Sequence, residues 1–164
     1  MRGLLFRSLL FLAAGFLATP ATGVAQDESP VQGAWIVSGV ESADGTVNSS
    51  VQPGLFLFTG THYSTMIALG DEPRARFAAD EATDEERLEA YGSFIANSGR
   101  YEVAGDEITT RAYVAKNPNY MGDWPDNAQT YTFAVDSDQL LLTFENGTKV
   151  TLRRVEGVPM PYDE

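Results

Sequence analysis

The only histidine of the chain, His62, lies in the segment FTGTHYS beside Thr61 and Tyr63, with Ser64 following. An imidazole next to hydroxyl groups is the residue set of a general base and a nucleophile. Neighbouring residues of a strand point to opposite faces, so His62 and Tyr63 cannot converge on one substrate. No Gly-x-Ser-x-Gly turn surrounds Ser64. We therefore predict an exposed histidine at a hairpin end and assign no catalytic residue.

Metal ligands and paired acids are equally scarce. One histidine and no cysteine do not supply the ligands that zinc takes, and the segment DSD (136–138) lacks the spaced oxygens and closing glutamate of a calcium loop. We predict no metal and no cofactor. Of the candidate acids Glu41 and Glu102, strand parity places only Glu41 inward, near a mouth of the fold, although a surface position is the simpler interpretation for both.

Aromatic residues are the most informative positive feature. They lie on predicted strands, where the inward-facing ones line either a solid core or an apolar pocket with hydroxyl groups. If Tyr101, Tyr131 and Phe133 point inward together, the pocket suits a flat or acyl-like molecule. Both interpretations stay open, because small barrels also fill themselves with side chains. The strand aromatics are Phe56, Phe58, Tyr63, Tyr101, Tyr113, Tyr131, Phe133 and Phe144.

The elements that must position these side chains are eight short predicted strands. Tight turns are indicated at AGD (104–106), at DSD (136–138) and at Asn146-Gly147, the last being the strongest hairpin signal because both residues tolerate positive φ. Eight antiparallel strands joined by hairpins predict an up-and-down β-barrel, which removes exposed edges. A β-sandwich also fits the strand count, but it needs long crossovers that these connections do not readily provide.

One segment, ATDEERLEAYGSFIANSG (82–99), has helical character. Thr83 and Glu86 fit a capping box, and Leu88, Tyr91 and Ile95 recur on one face. We predict one amphipathic helix over about residues 83–97 that covers one end of the barrel.

Residues 1–25 have the layout of a secretory signal peptide: a basic start, a short apolar run and small residues before Gln26. This predicts a periplasmic or secreted protein without a lipid-anchor cysteine. A polar leader (26–30), one barrel domain (31–156) and a C-terminal tail (157–164) follow. No later apolar stretch approaches the roughly 20 residues of a spanning helix.

The chain is acidic, with a net charge of −12, and loss of Arg2 and Arg7 with the leader makes it two units more negative. Such a surface repels phosphate backbones and anionic lipids, so we predict neither nucleic acid nor acidic membranes as partners. We expect a monomer or weak oligomer.

Five fragments together resemble the bacterial lipocalin-like domain family, within the calycin-type barrels. They are GAW (33–35), FTGTHYS (58–64), SGRYEVAGDEI (98–108), NPNYMGD (117–123) and TLRRV (151–155). The resemblance implies that Trp35 plugs the closed end of the barrel and that an arginine of the last strand lies across it. Arg154 is the better choice, because it shares parity with the inward Leu152. Thr110 stands near a place where the family often has a histidine.

These observations predict an exported barrel, mainly β, that binds a small, largely apolar or aromatic molecule and is not an enzyme. The expected ligand-binding residues are Phe56, Phe58, Tyr63, Tyr101, Thr110, Tyr131, Phe133 and Phe144. Two alternatives remain. One is an isomerase or cyclase that uses a buried acid or a tyrosine pair; the other is a filled barrel that presents the loop from Tyr120 to Trp124 to a partner protein.

Overall fold

A closed antiparallel barrel is formed by residues 29–155, which are the residues that the computed structural model describes. The elements are β1 (Gly33–Glu41), β2 (Val47–Asn48), β3 (Gly54–Phe58), β4 (His62–Ala68), α1 (Asp84–Gly92), β5 (Phe94–Ala104), β6 (Glu107–Ala115), a 3-10 turn (Pro118–Tyr120), β7 (Ala128–Asp136), β8 (Gln139–Phe144) and β9 (Lys149–Arg154). β1 pairs with β3 on one side and with β9 on the other, and the pairing with β9 closes the ring. β2 is a two-residue strand paired with β1 outside the eight-stranded ring.

The predicted eight-stranded barrel is therefore confirmed. The three tight turns join the predicted neighbours, β5 to β6, β7 to β8 and β8 to β9. The predicted signal peptide and most of the polar leader lie outside the described residues, as does the predicted tail. No helix among residues 29–155 has the length and apolarity needed to cross a membrane.

One end of the barrel is closed by Trp35, which is fully buried. Its indole nitrogen donates to the carbonyl of Val31 at 2.8 Å. The guanidinium carbon of Arg154 lies 4.1 Å from the centre of the Trp35 ring, as the resemblance implied. Gly33 has a φ of +139°, and a Cβ there would overlap Nη1 of Arg154. The glycine is thus required both by its backbone conformation and by the arginine packed against it.

A β-bulge in β1 gives Glu41 the surface position that was the simpler interpretation of the sequence. The register with β9 shifts between Val37 and Gly39. One extra residue reverses the inward and outward faces beyond it, so Val40 packs against the core and Glu41 points outward. There Glu41 accepts a hydrogen bond from Lys149 at 2.8 Å, whereas strand parity alone would place it inward.

The helix begins as predicted but ends earlier. Thr83 and Glu86 form the full capping box, and the backbone amides of Ala78 and Thr83 lower the pKa of the Glu86 carboxyl. The helix ends at Gly92, because the next residues continue the β4–β5 ladder, with Phe94 opposite Ala68. The predicted end at residue 97 is therefore wrong.

The apolar face predicted for the helix is not buried, because no helix residue is buried. Leu88 is 72% exposed, so it does not pack against the barrel. Polar contacts hold α1 at its C-terminal end instead: Arg74 donates to the carbonyl of Ala90, and the hydroxyl of Tyr91 donates to the carbonyl of Lys116.

Candidate functional site

The end of the barrel away from Trp35 contains a cavity of about 570 Å³. Its wall is formed by the inward faces of β3 to β8 and by the loops at their open ends. The aromatic and aliphatic lining residues are Phe56, Tyr63, Ile67, Ile95, Ala112, Tyr120, Tyr131 and Phe144. The polar ones are Thr65, Asn97, Thr110, Asn127, Gln129, Thr130, Glu145 and Asn146.

Three hydroxyl groups meet in the depth of this cavity. Tyr63, Thr110 and Tyr131 are each less than one-tenth exposed. The hydroxyl of Thr110 donates to the carbonyl of Gln129 at 3.3 Å and also contacts both phenols. Alternation along the strands places these side chains together, because Tyr131 lies opposite Ile108, two residues from Thr110 on the same face.

Burial raises the pKa of Tyr63 and, more strongly, that of Tyr131, and the contact with Thr110 opposes both shifts. Desolvation disfavours the phenolate, so both side chains stay neutral near pH 7. They act there as hydrogen-bonding groups on an apolar wall and not as general bases.

At the rim, Asn127 joins the loop after β6 to the barrel. Its amide nitrogen donates to the carbonyls of Ala112 at 3.2 Å and Tyr120 at 2.8 Å. Both donors of the side chain are thereby used, whereas Oδ1 is buried without a partner. A buried acceptor without a hydrogen bond carries a desolvation cost, and this burial closes the atom to a molecule in the cavity.

The structure places five of the eight expected ligand-binding residues on the cavity wall: Phe56, Tyr63, Thr110, Tyr131 and Phe144. The other three lie elsewhere. Phe58 and Tyr101 pack edge to face with ring centres 5.1 Å apart, in the filled part of the barrel near the closed end. Phe133 is half-buried against the core and does not line the cavity.

Several residues of the cavity wall were not among the ligand-binding residues predicted from the sequence. Ile95 and Asn97 were assigned to the helix, but they share the face of Tyr101 on β5, and a longer strand would have identified them. Asn127 and Tyr120 lie in or beside the loop after β6, where no periodic pattern reports orientation. Their positions depend on long-range contacts.

The histidine cluster lies on the outside of the barrel. His62 is exposed while Tyr63 is buried, as predicted. The ring of His62 is 6.0 Å from that of Tyr113, which is 5.0 Å from the ring of Trp124. The loop thus sends Tyr120 to the cavity and Trp124 to the outer face. Glu102 is also outside, where Arg111 approaches it at 3.4 Å.

One family match agrees with this architecture. Residues 32–157 match the family described as lipocalin-like domain. A lipocalin-like protein from Bacteroides uniformis is similar in structure, with 23% identity and a TM-score of 0.49 over 77% of this chain and 99% of that one. An uncharacterized protein from Bacteroides eggerthii has 16% identity and a TM-score of 0.47 over 75% and 98%. No curated protein matches.

Proposed function

The chain belongs to the lipocalin-like domain family, and we propose that it binds one small, largely apolar molecule inside its barrel. The observation that carries this proposal is the cavity of about 570 Å³. Pockets for small molecules measure about 300 to 1,000 Å³ and combine apolar walls with a few placed polar groups. Five aromatic side chains with the hydroxyls of Tyr63, Thr110 and Tyr131 form such a wall.

We propose binding without chemical conversion. Among the described residues that line the cavity, no serine, histidine or lysine supplies a nucleophile or an amine. Glu41, one acid considered for an isomerase or cyclase, lies outside and pairs with Lys149. The tyrosine pair faces the cavity, but the raised pKa values keep both phenols protonated.

We further propose that the protein is exported to the periplasm or the medium. The support is the pattern of residues 1–25, with basic residues followed by a short apolar run. Cell fractionation and N-terminal sequencing test this proposal. The expected mature protein begins at Gln26 and is recovered outside the cytoplasm. An intact N-terminus on cytoplasmic protein would contradict export.

Filling the cavity tests the binding proposal. Ala112 is buried and lines the cavity, so Ala112→Trp places an indole where a ligand would sit. The register of β6 with β5 shifts by one residue beyond Ala112, so Val114 faces outward. It is 58% exposed, and Val114→Trp is the matched control on the outer surface. The fluorescence of N-phenyl-1-naphthylamine, an uncharged apolar probe, reports binding.

We expect saturable binding with one site in the unmodified protein and in Val114→Trp, and a loss of at least about tenfold in affinity in Ala112→Trp. Circular dichroism verifies that both variants remain folded. Equal affinities in the two folded variants would contradict binding inside the barrel. Native mass spectrometry of protein purified from its own compartment then identifies the retained molecule. Recovery of a substrate together with its isomer or cyclised product would favour the catalytic alternative.

A further inference from the structure

The described part of the cavity wall carries no basic side chain. None of its residues within 29–155 is lysine, arginine or histidine, and its one carboxylic acid is Glu145 at the rim. The whole chain carries 23 acidic residues against 11 basic ones. An anion that enters the barrel therefore loses hydration without meeting a countercharge, and it passes a carboxylate at the mouth.

The lysines at the open end are already engaged. Lys149 donates to Glu41 at 2.8 Å on the outer face. Lys116 donates to the carbonyls of Tyr91 and Phe94 beside the helix. Neither lysine lines the cavity.

The polar groups of the wall are neutral apart from the Glu145 carboxylate. The hydroxyls of Tyr63, Thr110 and Tyr131 can donate or accept hydrogen bonds, so they can solvate a neutral polar group in either role. None of them supplies the full countercharge that a buried anion requires.

We propose that the cavity selects uncharged, largely apolar molecules and that it discriminates against anions such as fatty-acid carboxylates. This inference rests on the proposed binding function and adds the charge class of the ligand. Shape and apolar contact hold the body of such a molecule, while the neutral hydroxyl groups of the wall solvate any polar atom that it carries.

Three compounds with one ring system test the inference: 1-naphthol and 1-methoxynaphthalene are uncharged, and 1-naphthoate is anionic at pH 7. Each competes with N-phenyl-1-naphthylamine for the purified protein. We expect both uncharged compounds to bind at least about tenfold more tightly than 1-naphthoate. Naphthoate binding as tightly as either uncharged compound would overturn the inference.

A matched pair of charge variants identifies the cause of the selectivity. Gln129→Lys places a cation on the cavity wall, whereas Gln139→Lys makes the same change of net charge on an exposed residue at the start of β8. We expect Gln129→Lys alone to strengthen naphthoate binding by at least about threefold. Equal effects of both variants would overturn the local explanation. Failure of the uncharged probe to bind at all would refute the proposed function itself, which is a separate outcome.

Discussion

Replacing Arg154 by alanine removes the group that holds the closed end of the barrel together. The guanidinium lies 4.1 Å from the Trp35 ring centre, and a sheltered contact of this kind is worth about 1 to 2 kcal/mol. It also donates to the carbonyl of Gln32 at 2.9 Å and to that of Ser137 at 3.3 Å. Because both bonds lie near solvent, we assign about 0.5 to 1 kcal/mol to each. The expected loss of unfolding free energy is therefore about 2 to 4 kcal/mol.

Urea denaturation followed by circular dichroism measures this loss. Arg153→Ala is the matched control, because the neighbouring Arg153 is exposed on the opposite face of β9. The control should change the unfolding free energy by no more than about 0.5 kcal/mol. Arg154→Lys should give an intermediate loss, since an ammonium keeps the charge but lacks the planar fork. Equal losses for Arg154→Ala and Arg153→Ala would refute the stacked arginine as a structural element of the barrel.

Three other variants or titrations test separate features of the structure. Gly99→Ala should destabilise the barrel by about 1 to 3 kcal/mol in urea denaturation, because its Cβ would overlap the carbonyl oxygen of Arg111 on β6; an unchanged midpoint would contradict that close approach. The phenolate absorbance of the folded protein should rise at higher pH than that of the urea-unfolded chain, because burial raises the pKa of Tyr63 and Tyr131. The stability that these two side chains contribute is fully present below the unfolded pKa near 10 and declines as pH rises above it. Coincident titration curves of the folded and unfolded protein would contradict the burial. Thr83→Ala should speed amide hydrogen exchange in α1 while leaving the barrel strands protected, because Thr83 caps a helix that buries no residue. Slowed refolding of the whole barrel with unchanged exchange in α1 would contradict a capping role confined to the helix.

The barrel could be predicted because its signals are local. Each hairpin carries its own turn residues, and each strand carries its own alternation, so strand number and order follow from short segments. The family resemblance implied the contact between Trp35 and an arginine of the last strand, and parity within β9 separates Arg154 from Arg153. These features need no knowledge of distant contacts.

The errors arise where a distant strand decides the local structure. The end of the helix was predicted five residues too far along, because residues 94–97 pair with β4 and that ladder replaces a helical turn. Strand parity alone points Glu41 inward, because the bulge in β1 is visible only in its register with β9. Both cases show tertiary pairing overriding a local pattern.

Only part of the cavity wall could be predicted, because contacts between distant segments also decide which inward side chains line the cavity. Alternation identified Tyr63 and Tyr131, but it does not report how far the core fills the barrel. Phe58 and Tyr101 face inward and still lie below the cavity, in the filled end. Asn127 is placed by two hydrogen bonds to backbone carbonyls, which no sequence pattern predicts.

A crystal structure of the protein with N-phenyl-1-naphthylamine tests the proposed function most directly. We expect one probe molecule inside the barrel, with its rings between Tyr63, Tyr131 and Phe144 and its N–H within hydrogen-bond reach of a wall acceptor. A probe bound only on the outer surface, with aromatic side chains filling the interior, would contradict ligand binding in the barrel.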